Sequence, residues 1–308
     1  MSDPVPLRWT EWRPLEPGLC VTPASLAEIV DGGQSFRWWP RAEGSWIGQW
    51  SEHVIELRSH PGTTLEWRCP ADQDDLIRDA LPRYLGLDQR HVAAMRALPW
   101  RSDPHLRRAM DAFPGLRLLR QPFGETLLTF LCSATKQIVQ IKQMVALLAQ
   151  RLGRPVSTCH SISDTLPGGL GWRLPTWEEL ANVSEVRLRD CLLGFRARYI
   201  RETAVFLASH PDWLEETRRL PYVDAKARLC ELPGVGEKVA DCVLLFGGGK
   251  DEAFPVDVWI LKAMARRYGL EKWSPQHVAH FGRVHFGAYA GLAQQFLFAF
   301  ERAAARAR

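Results

Sequence analysis

The sequence predicts an α+β chain: a small N-terminal antiparallel β-sheet domain followed by a larger all-helical region. Three observations carry this expectation. From about Ser25 to Trp67, short segments rich in Trp and β-branched residues alternate, as in QSFRWWP, GSWIGQWSEHVIELRS and TTLEWRC. Apolar residues recur at every second position around Val54-Ile55-Glu56-Leu57-Arg58, with breaks such as Pro61-Gly62, the pattern of strands in an antiparallel sheet. Abundant Trp suits a sheet packed on one face. After about Asp72 the apolar period becomes helical.

Taken in order, residues 1–20 are rich in Pro and Trp and carry no clear period. Helical spacing then predicts Asp74–Leu85, His91–Leu98, Pro104–Phe113, Glu125–Cys132, Gln137–Arg151, Trp177–Leu180, Ser184–Leu193, Ala197–Ser209, Val223–Cys230, Glu237–Phe246, Val258–Tyr268, Pro275–Phe286 and Gly291–Ala305. Pro, Gly and Asp separate most of them. No internal repeat or low-complexity run interrupts the series. We divide the chain at residues 1–110 and 111–308, with a ligand cleft expected between the parts.

The bulk numbers narrow the class. The chain has 308 residues, 46% hydrophobic and 24% charged, with a formal net charge of +4. That length buries a sizeable core, and so mild a charge does not by itself identify a nucleic-acid binder. Cys20, Cys69, Cys132, Cys159, Cys191, Cys230 and Cys242 are scattered, with no zinc spacing and no cysteine cluster for an iron–sulfur centre. This odd, unframed set fits a reducing compartment. No leader or bilayer-length apolar run stands out, so we expect an intracellular chain that works with no membrane.

The sharpest motif is Leu232-Pro233-Gly234-Val235-Gly236-Glu237-Lys238, between two helical patterns. Gly234 and Gly236 permit conformations that a Cβ obstructs. They expose backbone N–H groups at the start of the next helix, which is a ready anion site. A DNA phosphate suits it, because amides carry no sequence preference. A bare G-x-G reads as a plain turn; its setting between two helices favours the anion site.

Lys238 lies in the first turn of that helix, where the helix dipole and partial burial both disfavour an ammonium ion. A neutral amine can attack a sugar carbon or form a Schiff base. Cys242 lies one turn on, on the same face. Downstream, Asp257 in Phe254-Pro255-Val256-Asp257-Val258-Trp259 precedes an apolar-periodic helix, where an Asp is usually only an N-cap. A capped carboxylate is also rigid, ionised and suited to stabilising positive charge on a sugar.

LPGVGEKVADC followed by PVDVW resembles the helix-hairpin-helix (HhH-GPD) glycosylase superfamily. GGQSFRW at 32–38, LLRQPFGETLLTFLCS at 118–133, LGFRARYI at 193–200 and YAGLAQQFLF at 289–298 resemble, more narrowly, its 8-oxoguanine DNA glycosylases. The resemblance spans about residues 20–300. It implies a TATA-binding-protein-like β domain, the hairpin at 230–240 and a catalytic-aspartate loop at 254–259. It implies Lys238 as Schiff-base nucleophile and Asp257 as its catalytic partner. It implies Gly33 as the carbonyl that accepts the N7–H of 8-oxoguanine, Cys242 and Phe298 as the sandwich around the flipped base, and Gln294 as the reader of its Watson–Crick edge. Phe195 becomes a wedge beside the lesion and Arg196 a residue facing the orphaned base. The carbonyls of Cys230, Leu232 and Val235 become the holders of a monovalent cation at the phosphate. No other cofactor is implied; the partner is duplex DNA carrying an oxidised purine, and a monomer is expected.

Read from the residues alone, Phe298 is core, Gly33 a turn glycine and Phe195 the apolar contact of a helix end. Gln294 and Phe298, four apart, share a helix face. The chain also departs from the family. Ala134-Thr135-Lys136-Gln137 stands in place of an asparagine run, Gln140 where an arginine reads the opposite cytosine, and Trp259 where a histidine contacts phosphate. These changes predict weakened opposite-base selectivity, with Thr135 and Gln140 still expected at the DNA. Two rivals remain at this stage: a monofunctional alkyl-base glycosylase using Asp257 and water, and a DNA-binding hairpin protein without catalysis.

Overall fold

The computed structural model describes residues 8–15, 20–60, 62, 64–156 and 166–306. Cys159, Pro61 and the first seven residues of the Pro/Trp-rich start lie outside them. The strands β1 (Arg13–Pro14), β2 (Trp38–Pro40), β3 (Trp46–Trp50), β4 (His53–Arg58) and β5 (Glu66–Arg68) form one antiparallel sheet in the order β1-β5-β4-β3-β2. Arg154–Pro155 and Trp172–Arg173 pair in a second, two-stranded antiparallel sheet, and most of the rest of the described chain is helical.

The sheet is covered on both sides in part, where one packed face was expected. Alternation sends Ile55 and Leu57 of β4 into the main core, with Trp38, Trp50 and Trp67. Val54 and Ile47 face the other way and pack with Val156, Leu166 and Leu170. A buried guanidinium ties that second cover down: Arg37 donates to the carbonyls of Gly169 (3.1 Å) and Trp172 (2.6 Å) and to Gln49 Oε1 (3.2 Å). Trp38 sits opposite Gly48 across the ladder and is fully buried, its indole N–H donating to Tyr84 Oη (2.9 Å).

Two helices escaped the reading of the sequence. Residues near Ser25, taken as the opening of the β region, form α1 (Pro23–Asp31), capped by Thr22, whose hydroxyl accepts the Ser25 amide (3.1 Å). Leu26, Ile29 and Val30 are its buried stripe, and that helical spacing was masked by the adjoining strand pattern. Trp213–Arg219 is also helical, and is short enough that only Trp213 and Thr217 are buried. The helix expected over Ser184–Leu193 stops at Arg189, and Leu192 takes a left-handed conformation with φ of 62°. The other predicted helices form with ends within about two residues of expectation.

Numbered in chain order, the later α-helices are α2 (Asp74–Tyr84), α3 (Gln89–Ala97), α4 (Pro104–Ala112), α5 (Phe123–Leu131), α6 (Ile138–Leu152), α7 (Trp177–Ala181), α8 (Glu185–Arg189), α9 (Arg196–Ser209), α10 (Trp213–Arg219), α11 (Tyr222–Leu229), α12 (Glu237–Phe246), α13 (Val258–Tyr268), α14 (Pro275–Phe286) and α15 (Ala290–Arg306), of which α11, α12, α13 and α15 build the site. The main core is continuous from the sheet to α15. Asp103, ahead of the helix Pro104–Ala112, accepts from Tyr268 Oη and pairs with His285 Nε2, each at 2.9 Å. No helix among the described residues is long and apolar enough to cross a membrane.

A Cβ on Gly48 would overlap the Trp38 indole. Gly48→Ala is therefore expected to lower stability by about 1–3 kcal/mol through overpacking. Urea titration checks this, as a fall in midpoint at unchanged slope.

Candidate active site

α11 and α12 meet at the hairpin 230–236. Gly234 takes φ of 76°, and a Cβ there would strike the Tyr199 ring. The turn is closed by Val235 N–H donating to Leu232 O (3.1 Å). Gly236 caps α12 without a side-chain hydrogen bond, so the first-turn amides have no capping side chain and stay suited to an anion. The Leu232 carbonyl keeps a second lone pair, so a turn of carbonyls from Cys230, Leu232 and Val235 has the oxygen donors a hard monovalent cation takes.

α12 is buried from Val239 to Phe246. Its half-buried first turn carries Lys238, whose Nζ lies 5.4 Å from the centre of the Phe130 ring. One turn on, burial pushes the Cys242 thiol up to about 11, with the nearby Lys238 pulling it down. A thiol so protonated is an apolar wall rather than a nucleophile.

Asp257 caps α13, and one carboxylate oxygen, Oδ1, accepts both the Trp259 amide (3.0 Å) and the Ile260 amide (2.9 Å). The expected cap is present. Burial nevertheless pushes the carboxyl above the usual range, opposed by the Ile260 amide, the Lys238 charge and the Trp259 amide.

Lys238, Asp257, Cys242, Gly33, Gln294 and Phe298 come together around one small cavity of about 50 Å³. Gly33 follows the end of α1 with φ of 91°, and a Cβ on it would lie 3.3 Å from Ile138 Cδ1 and 3.9 Å from Phe298 Cζ. Gln34, which the sequence did not single out, holds this turn in place. Its amide donates to Arg117 O (2.9 Å) and accepts from Leu119 N–H (2.9 Å), while Gln121 donates to Gln34 O (2.6 Å). Gln294 donates to Pro255 O (3.1 Å), and its Oε1 is buried without a partner. Gln295 also lines the cavity and was missed, because a Gln on an amphipathic helix ordinarily faces water.

The cavity opens into a cleft of about 990 Å³ whose lining includes Lys238, Asp257, Trp259, Lys262, Phe298 and Arg302. Thr135 lines it too, in a left-handed conformation (φ 56°) that is strained for a β-branched residue. Arg196 is not at the cleft surface. It is 2% exposed and donates to Ala134 O, Thr135 Oγ1 (3.1 Å) and Leu193 O (3.2 Å), so it grips the Thr135 loop from behind. Gln140 is exposed at the start of the helix Ile138–Leu152, where its Oε1 accepts the Gln137 amide (3.2 Å) in a capping box. Phe195 is half exposed and packs edge-on against Tyr199, the residue that abuts Gly234.

A family model described as the 8-oxoguanine DNA glycosylase N-terminal domain matches residues 19–127. A second, described as HhH-GPD superfamily base excision DNA repair protein, matches residues 128–284. The N-glycosylase/DNA lyase OGG1 of Arabidopsis thaliana is 31% identical over 306 residues, covering 94% of this chain and 80% of that protein. Among solved structures, the Clostridium acetobutylicum 8-oxoguanine glycosylase/lyase bound to double-stranded DNA with cytosine opposite 8-oxoguanine aligns with a TM-score of 0.80 at 30% identity, covering 91% of this chain and 92% of that one. MBOgg1 in complex with a low-affinity DNA ligand aligns with a TM-score of 0.82 at 28% identity, covering 96% and 100%.

A carboxyl whose folded-state pKa is raised holds its proton more tightly in the fold than in the unfolded chain. The Asp257 ionisation therefore costs stability as pH rises from the ordinary carboxylate value through the raised one. Asn caps a helix about as well as Asp. Asp257→Asn is expected to leave the melting temperature at pH 7 unchanged or higher, and to lose that advantage as the pH falls below the ordinary carboxylate range. Thermal melts across that window check the sign; a variant less stable than the parent at pH 7 would contradict it.

Proposed function

The chain belongs to the HhH-GPD superfamily of base excision DNA repair proteins, on its 8-oxoguanine glycosylase branch, and we propose that it excises 8-oxoguanine from duplex DNA through a Lys238 Schiff base and then cleaves the strand by β-elimination. The observation that carries this reading is the meeting of an amine and a carboxyl, both half-buried, Lys238 and Asp257, on one cavity walled by Gly33, Cys242, Gln294 and Phe298.

Duplex DNA is gripped at the backbone by the hairpin amides of 234–237, with Trp259 at the cleft beside it. The carbonyls of Cys230, Leu232 and Val235 would hold a monovalent cation, which supplies positive charge at the same phosphate. Phe195 enters the stack as the base leaves it. The cavity of about 50 Å³ is far below the roughly 300 Å³ of a small ligand site. Phe298 lines both cavity and cleft, so its ring turns aside as the base enters. The base then stacks between Phe298 and Cys242, with Gln294 on its Watson–Crick edge and the Gly33 carbonyl accepting its N7–H.

The Lys238 nitrogen lone pair attacks C1′, the C1′–N9 bond breaks, and the base leaves with that electron pair and takes up a proton. Asp257, ionised, stabilises the positive charge that builds on the sugar. Ring opening gives a protonated imine on Lys238. Loss of a C2′ proton then expels the 3′ phosphate, and water hydrolyses the imine to free the lysine. One chain carries every group, so a monomer suffices, acting inside the cell where the DNA is. Arg196 serves the strand opposite the lesion by holding the Thr135 loop.

Borohydride reduction on a duplex with one 8-oxoguanine is expected to trap a covalent adduct, and Lys238→Gln to abolish it. Release of base without an adduct would instead favour Asp257-and-water chemistry. Asp257→Asn is expected to slow excision about 100- to 1000-fold, and excision by the parent to fall as the pH drops through the raised Asp257 value.

Gln140 has no charge to offer an opposite cytosine, and its Oε1 is engaged in the helix cap. Preference for cytosine opposite the lesion is therefore expected to be weak. Gln140→Arg is expected to raise the ratio of excision opposite cytosine to that opposite adenine about tenfold, the worth of one charged hydrogen bond. Single-turnover rates opposite all four bases decide it; equally strong discrimination in both proteins would sink the idea.

A further inference from the structure

We infer that Gln295 is a second base-reading residue and that, beside Gln294, it selects a purine edge with an oxygen at C6. The inference rests on the glycosylase reading above and deepens it. Gln294, Gln295 and Phe298 of α15 all line the cavity that also holds Lys238 and Asp257. Positions i, i+1 and i+4 of a helix make one compact patch. Gln294 is 4% and Gln295 2% exposed.

The two amides present opposite polarities. Gln294 donates to Pro255 O, which fixes the orientation of its amide and leaves its Oε1 buried with no partner. The Nε2 of Gln295 is also buried with no partner. A buried polar atom without a partner is costly, and a side chain needed only to fill space has no use for an amide. Its neighbours on the helix, Phe296 and Leu297, fill theirs with hydrocarbon.

An acceptor beside a donor matches a donor beside an acceptor. The 8-oxoguanine edge offers that pair as N1–H and O6, so Gln294 Oε1 takes N1–H and Gln295 Nε2 reaches O6. An 8-oxoadenine edge reverses both, with an amino group at C6 and a bare N1. Gln294 cannot follow the reversal without giving up Pro255, so Gln294 fixes the sense of the wall.

The test uses single-turnover kinetics of the full chain on four duplexes. They carry 8-oxoguanine, 8-oxohypoxanthine (same O6 and N1–H, no 2-amino group), 8-oxoadenine, or a ready-made abasic site. Gln295→Leu is expected to slow excision of 8-oxoguanine and 8-oxohypoxanthine alike by about tenfold. The loss on 8-oxoadenine is smaller, so the preference for the 6-oxo edge shrinks about tenfold. Cleavage at the abasic site falls less than excision of either 6-oxopurine. Gln295→Glu, which sets an acceptor against O6, is expected to lose more than Gln295→Leu on both 6-oxopurines. An unchanged ratio of 8-oxoguanine to 8-oxoadenine overturns the inference, and so do equal losses on all four duplexes, which mark a structural residue. A parent chain that releases no base from any duplex brings down the glycosylase reading itself, and the inference with it.

Discussion

The cleft depends on one helix that is buried along nearly its whole length. Every residue of α12 from Val239 to Phe246 is out of solvent, so its first turn is the part that meets water. Lys238 lies there, on the cavity and on the cleft that leads to it. The helix also buries a charge, Asp241, which accepts from Tyr222 Oη (2.7 Å) and Lys226 Nζ (3.0 Å) of α11. Burial pushes that carboxyl up, and its two partners pull it back. A buried acid that accepts hydrogen bonds from two side chains of the preceding helix clamps α11 to α12 and fixes the geometry of the hairpin between them.

Two helix starts then face the same space with opposite equipment. α12 begins at Gly236 with no capping side chain, whereas α13 begins at Asp257, which caps through Oδ1 alone. The first leaves amides for an anion. The second commits one carboxylate oxygen to the cap and leaves the other outside it. The same local rule, that the first turn of a helix has unsatisfied N–H groups, accounts for both.

Gly32 and Gly33, in the turn that follows α1, form one edge of the cavity. Gln34 and Gln121 lock the turn after α1, so Gly33 is held against Ile138 and Phe298. Glu28 of α1 accepts from Arg302 of α15 (2.8 Å), and that guanidinium, which lines the cleft, lies 5.4 Å from the centre of the Phe298 ring. This pair joins the helix before Gly33 to the helix that carries Phe298. The strained Thr135 loop is held similarly, by Arg196 from the interior rather than by its own backbone preferences.

What the sequence determined by itself is what local chemistry determines. The bounds of α12, α13 and the helix Pro275–Phe286 were legible from caps and apolar period, and so were the hairpin glycines, the Lys238 position and the Asp257 cap. Where two local patterns competed, as at Pro23–Asp31 beside a strand, the reading went to the wrong one. Tertiary structure alone decided the rest. It buried Arg196 and gave Gln294 and Gln295 their unpartnered atoms. Desolvation and the polarity of a fixed amide depend on groups brought from distant parts of the chain, such as Pro255 against Gln294. No periodicity records those encounters, because they exist only once the helices have packed.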